Sequence, residues 1–159
     1  MKAVFQRVFS ARVQVDGDTV GEIGPGALVF LGVEQGDTPE LAALMAKKTA
    51  ELRVFCDEQD KMNRSLLDTG GAVLAVSNFT LCADCRHGRR PDFFAAARPD
   101  TAEPLYRFFM EELSRLGVAQ VEAGRFGAHM QVSMEGNGPV TILLDTRDWI
   151  RKAAGTPVT

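Results

Sequence analysis

The stretch "AVLAVSNFTL", residues 72–81, decides how this chain is read. It opens with five apolar residues in a row, the pattern of a strand covered on both faces. It then turns polar at Ser77, Asn78 and Thr80. Those residues can satisfy a turn at the strand's end. They can also offer hydroxyls and backbone N–H groups to an ester. "NGPVTI", residues 137–142, has a similar design, with small polar residues beside a β-rich run. Pro139 marks an edge or a strand start there. A cis bond before it is open, although only ~5–6% of X-Pro bonds are cis.

"ALVFLGV" at residues 27–33 is a second continuous apolar run and a second buried strand. Before it, "AVFQRV" and "ARVQV" alternate, and "DGDT" at residues 16–19 reads as a hairpin turn. "GEIGPG" is a further turn cluster. A helix is expected next, capped by Thr38, with Pro39 in its first position and its end near Phe55. Its apolar stripe is Leu41, Leu44, Met45 and Leu52, interrupted only by Lys48. "DEQDKMNRS" reads as a polar loop. A second helix is expected from a capping Asp100, with Glu103 three residues on, and Gly117 as its stop. Its stripe is Leu105, Phe108, Phe109, Leu113 and Leu116. Short strands follow in "AQVEAG", "HMQVSM" and "PVTILLD". Strands before, between and after two main helices predict one α+β domain with a mixed, largely antiparallel, barrel-like sheet.

The length of 159 residues suits a single domain, and 45% hydrophobic content supplies a real core. No apolar run approaches the ~20 residues a membrane helix needs, and the N-terminus lacks the long apolar centre of a signal peptide. Three cysteines, Cys56, Cys82 and Cys85, cannot all pair within one chain. These features point to the cytoplasm. With a net charge of −3, nucleic acid would have to be met by a local patch. The closing "RKAAGTPVT" reads as a loose tail.

Each chemical motif has a plain reading beside its functional one. Cys82 and Cys85 form a C-x-x-C, but it enters a charged loop rather than a helix, unlike a redox pair. His87 and His129 add no recognisable zinc spacing. Arg86, Arg89 and Arg90 in "RHGRR" suit phosphate oxygens, yet such runs are often only solvated loops. Ser77 and Thr80 have no His and acid partner nearby in sequence, so a triad is not indicated.

Taken together, the chain resembles the D-aminoacyl-tRNA deacylases. The resemblance is carried by residues 6–33, by "KMNRSLLDTGGAVLAVSNFTLCAD" at 61–84, and by "GRRPDF" and "AEPLY". It ends in "GRFGAHMQVSMEGNGPVTILLD" at 124–145. Of the family's two signatures, Asn-x-Pro-x-Thr is intact in Asn137, Pro139 and Thr141. Ser-Gln-x-Thr appears with Asn78 in the Gln position, an amide shortened by one methylene. The resemblance implies a deacylase domain over residues 1–148, with a short tail at 149–159. It implies hydrolysis of the ester of D-aminoacyl-tRNA, and of glycyl-tRNA mischarged on tRNA(Ala), with L-aminoacyl-tRNA rejected. No metal or cofactor is expected. Ser77, Asn78, Phe79 and Thr80 would hold the reacting ester. The resemblance further implies a homodimer in which a cis Gly138-Pro139 from one subunit enters the other's site, held by Arg7. Arg86, Arg89 and Arg90 would meet the tRNA.

Overall fold

The computed structural model describes residues 1–153. Its organiser is β1 (Lys2–Val15), which is long enough to pair with three other strands. Its first half runs antiparallel to β3 (Gly26–Gly32), from Lys2 opposite Gly32 to Val8 opposite Gly26. Its second half pairs with β2 (Asp18–Ile23) across the expected Asp-Gly turn. Asp16 and Gly17 both have positive φ, 52° and 88°, as a two-residue hairpin of this hand requires. Along its other edge β1 carries β8 (Gln131–Asp145), antiparallel, with register shifts on either side of Val8.

The two continuous apolar runs lie side by side. β6 (Ala72–Ser77) is parallel to β3, and β7 (Gln120–Ala123) is parallel to β6. The order is β2-β1-β3-β6-β7, and the sheet curls until its ends approach. A Cβ on Gly21 of β2 would stand 2.4 Å from the Ala123 carbonyl oxygen of β7, so only glycine permits that closure. Gln120 Nε2 donates to the Glu22 carbonyl across the seam at 3.4 Å. The result is the expected α+β domain with a nearly closed, mixed and largely antiparallel barrel. Val8, Val13, Leu28 and Leu74 cluster together in one part of the core.

The two main helices are α1 (Pro39–Glu51) and α3 (Pro99–Arg115), with the short α2 (Leu66–Thr69) between them. Together with Phe5, Leu31 and Met1, the helix residues Met45, Phe109 and Leu113 make the larger core. α1 ends before Phe55, because Leu52 turns extended and Phe55–Cys56 becomes β4, paired with β5 (Met62–Arg64). The expected polar loop is therefore the turn of a small hairpin together with its second strand, β5. α1 also buries a different face from the one its leucines suggest. Ala42, Met45, Ala46, Thr49 and Ala50 are inside, while Leu41 and Leu44 are half-buried and Lys48 is exposed beside Trp149. The small alanine side chains suit close packing between helices.

At α3, Arg98 occupies the cap position and Pro99 the first turn, so Asp100 lies inside the helix rather than capping it. The two strands expected at 129–134 and 139–145 are one strand, β8, which runs through Gly138-Pro139. Pro139 is tolerated because β8 is an edge strand, bonded to β1 alone among the described strands. The helix α4 (Arg147–Ala153) spans the boundary expected at residue 148, and its Trp149 packs on the larger core. Part of the expected tail, residues 154–159, lies outside the described residues. No helix among the described residues is long and apolar enough to cross a membrane.

Candidate active site

β6 delivers Ser77 to the rim of a cavity of about 750 Å³. There the chain leaves the sheet and tightens into a 3₁₀ turn over Phe79–Cys82. Asn78 ties this turn to the sheet, its N–H donating to the Leu31 carbonyl at 2.8 Å. The first donors of such a turn have no partner within it. The N–H groups of Phe79 and Thr80 accordingly donate to no acceptor among the described residues. Thr80 Oγ1 donates to Asn78 Oδ1 at 2.5 Å, so the two polar side chains of the turn are coupled. All four residues of Ser77–Thr80 line the cavity.

The opposite wall is Phe126–Met130, the segment that follows β7, and the start of α3 contributes Pro99 and Ala102. Phe93 completes the enclosure and meets Phe79 edge to face at 5.1 Å. An apolar cleft with a few convergent polar groups is the usual form of a small-ligand site. Sequence periodicity gave no sign of this wall: Phe93 and Phe126 lie outside any regular element's apolar stripe, and His129 and Met130, expected to open a strand, precede β8.

The walls are braced at one carbonyl. Ala75, two residues before Ser77, accepts from Gly124 N–H at 2.9 Å and from the buried Tyr106 hydroxyl at 2.8 Å. Burial pushes that hydroxyl up to about 12, so it remains a donor. A single oxygen thus ties together β6, α3 and the start of the far wall.

Arg89 and Arg90 sit in a loop pinched shut by reciprocal backbone bonds between Asp84 and Asp92, at 2.7 and 2.9 Å. Both are exposed and make no ion pair among the described residues. Arg86 differs, since its guanidinium grips the Asp84 carboxylate, and Arg86 holds that carboxyl at about 2. The loop returns to the cavity at Phe93.

Gly138 and Pro139 are joined by a cis peptide bond, and neither lines the cavity of its own chain. The buried Arg7 lies behind them. Its Nε donates to the Asn137 carbonyl at 2.9 Å and its Nη1 to the Val54 carbonyl at 2.6 Å. Thr141 Oγ1 donates to Gln6 Oε1 across the β1–β8 pair. The structure therefore groups Ser77–Thr80 in one place and Arg7, Asn137, Gly138, Pro139 and Thr141 in another.

The cysteines show no redox arrangement. Cys82 is buried, with its Sγ 3.6 Å from the Val33 carbonyl, and burial raises its pKa, the reverse of a reactive thiol. Cys85 and Cys56 are exposed and all three are free. No group of three or more metal-ligating side chains occurs among the described residues.

A family model described as D-Tyr-tRNA(Tyr) deacylase matches residues 4–145. A D-aminoacyl-tRNA deacylase of Syntrophotalea carbinolica is 59% identical over 92% of this chain and 97% of its own length. One from Thermus aquaticus is 55% identical over 93% and 97%. Among solved structures, one described as c-Myc DNA Unwinding Element Binding Protein superposes with a TM-score of 0.86 at 41% identity, covering 91% of this chain and 98% of that one. A probable eukaryotic D-amino acid tRNA deacylase shares the fold, with a TM-score of 0.74 at 17% identity over 90% and 97%. With a model spanning nearly all of β1 to β8 and relatives matched almost end to end, this chain belongs to the D-aminoacyl-tRNA deacylase family, hydrolases of an ester bond.

Proposed function

We propose that the Ser77–Thr80 turn binds the ester of a D-aminoacyl-tRNA, and that Gly138-Pro139 of a second subunit screens its stereochemistry. The observation that carries this reading is the pair of uncommitted N–H groups, those of Phe79 and Thr80, on the turn that lines the cavity. Donors fixed in advance favour the charge that develops on a carbonyl oxygen under attack. Water adds to the carbonyl carbon, the tetrahedral centre collapses, and the 3′-oxygen of the terminal adenosine leaves and takes a proton. Free D-amino acid and tRNA result. The 2′-hydroxyl of that adenosine assists the water, since Thr80 has an amide oxygen as its partner rather than a base. Thr80 orients the site.

The screen is a wall of rigid backbone. An L side chain would need the space the dipeptide occupies, while a D side chain points away from it. Glycine passes for want of a side chain, which extends the activity to glycyl-tRNA mischarged on tRNA(Ala). A second copy is supported by the free edge of β8, a surface that invites pairing. Exposed Phe9, Met134 and Leu143 on β1 and β8 support it too, with Leu143 79% exposed. Arg89 and Arg90 meet the tRNA phosphates, while Arg86 stays committed to Asp84, and the work belongs to the cytoplasm.

The test is to incubate the chain with D-Tyr-tRNA and L-Tyr-tRNA and follow release of each amino acid. Rapid release of D-Tyr alone is expected. Equal release of both enantiomers would remove the chiral screen. Activity lost to a chelator and restored by zinc would replace this mechanism with a metal-dependent one.

A further inference from the structure

A second groove, of about 510 Å³, shares one lining residue with the first, Phe126. Tyr106, Met110 and Val121 contribute apolar surface to it. Its charged residues are not equivalent. Glu103 Oε1 accepts from Arg107 Nε and Nη2 at 3.1 and 2.6 Å, and Glu122 Oε1 accepts from Gln120 at 3.1 Å. Arg125 is exposed and makes no side-chain hydrogen bond or ion pair among the described residues. It lines this groove and directly precedes Phe126, the residue the two cavities share.

Single-stranded nucleic acid is held by this combination, a cation on the backbone beside aromatic and apolar surface for the bases. A 3′-terminal nucleoside whose ester lies on the Ser77–Thr80 turn is joined through its 5′-phosphate to the nucleotide before it. That nucleotide needs surface beyond the first cavity, and the groove that shares Phe126 with it is the neighbouring candidate. We propose that the second groove is the subsite for the nucleotide preceding the esterified one, with Arg125 on the connecting phosphate. The proposal rests on the deacylase reading above and adds the route by which the acceptor strand leaves the site.

The test compares three substrates, each carrying D-tyrosine on its 3′-terminal adenosine: adenosine alone, the dinucleotide cytidylyl-adenosine, and full tRNA. The wild-type chain is expected to show a lower KM for the dinucleotide than for the nucleoside. Arg125→Ala should raise KM for the dinucleotide roughly five- to tenfold, the loss of one charge-assisted phosphate contact at an open site. It should leave kcat, and both constants for the nucleoside ester, unchanged. Arg125→Lys should recover part of the loss. On tRNA, the log-log salt slope of binding should shrink by about 0.7 in Arg125→Ala, one single-strand phosphate contact. Equal loss on nucleoside and dinucleotide, or an unchanged salt slope, overturns the proposal. Failure of the wild-type chain to release D-tyrosine from any of the three overturns the deacylase reading instead, and this subsite with it.

Discussion

The side chain of Thr80 has one fixed partner, and that partner is not a base. Its hydroxyl donates to the amide oxygen of Asn78, which cannot accept the proton outright. A threonine becomes a nucleophile only beside a group that can. The hydrogen bond instead fixes the orientation of both side chains on the turn that lines the cavity. Thr80→Ser, which keeps the hydroxyl, should retain most activity on D-Tyr-tRNA. Thr80→Ala should lower kcat by about 10- to 100-fold without abolishing it, the scale expected when a positioning contact is lost but backbone donors remain. Mass spectrometry of quenched reactions should find no acyl group on Thr80. A trapped acyl-Thr80 would make it the nucleophile after all.

Elements matter here mainly for what they place at their ends. The pinched bonds between Asp84 and Asp92 make the arginine segment a closed loop, and Arg86 is largely spent on Asp84. Because the Asp84 carboxyl sits at about 2, below its ordinary 3.8, that pairing is complete at neutral pH and is lost only as pH falls through about 2. Arg89 and Arg90 are left for the proposed contact with phosphate. The double variant Arg89→Ala with Arg90→Ala should weaken tRNA binding and flatten its dependence on salt, because fewer counterions are released. Titration of binding at several salt concentrations checks this, and an unchanged slope would return the loop to a merely solvated surface. The elements themselves were unevenly legible. β3 and β6 announced themselves because strands buried on both faces are apolar throughout, and Asp16-Gly17 named its own turn. The end of α1 was hidden because Leu52, Val54 and Phe55 continue its apolar content while leaving the helix for β4. Asp100 looked like a cap, but Pro99 already fills the first turn. The far wall was hidden for a different reason. Phe126–Met130 is irregular chain, and its role comes from the Ala75 carbonyl that ties Gly124 and Tyr106 together.

At the scale of the whole molecule, one long strand lies between the two clusters of family residues. β1 carries Arg7, which holds Asn137, and its partner β3 lies beside β6, which ends in the Ser77–Thr80 turn. Within one chain, Gly138-Pro139 does not line the cavity it is proposed to screen, and the proposed screen therefore draws on a second copy. Complementation between two inactive variants tests that directly. Gly138 has φ 137°, and a Cβ there would lie 2.7 Å from Val140 N and 3.4 Å from Arg7 Nη2. Gly138→Ala should therefore displace the dipeptide, at a cost of about 1–3 kcal/mol in backbone strain, and disable the screen. Ala96 is half-buried and lines the cavity, so Ala96→Trp should fill the pocket while sparing the core. Each variant alone should lack stereospecific hydrolysis. In a mixed dimer, the subunit with the open pocket faces the partner that has the intact dipeptide. One complete site is restored, and D-Tyr-tRNA should be cleaved with the enantiomer preference of wild type at up to half its rate per dimer, since one of two sites is whole. If the dipeptide served its own subunit, no complete site would exist in the mixed dimer. Co-expression with two different affinity tags isolates that species, and its loss of the wild-type enantiomer preference, whether by cleaving both substrates or neither, with both homodimers shown to be folded by thermal melting, would place the screen within a single chain.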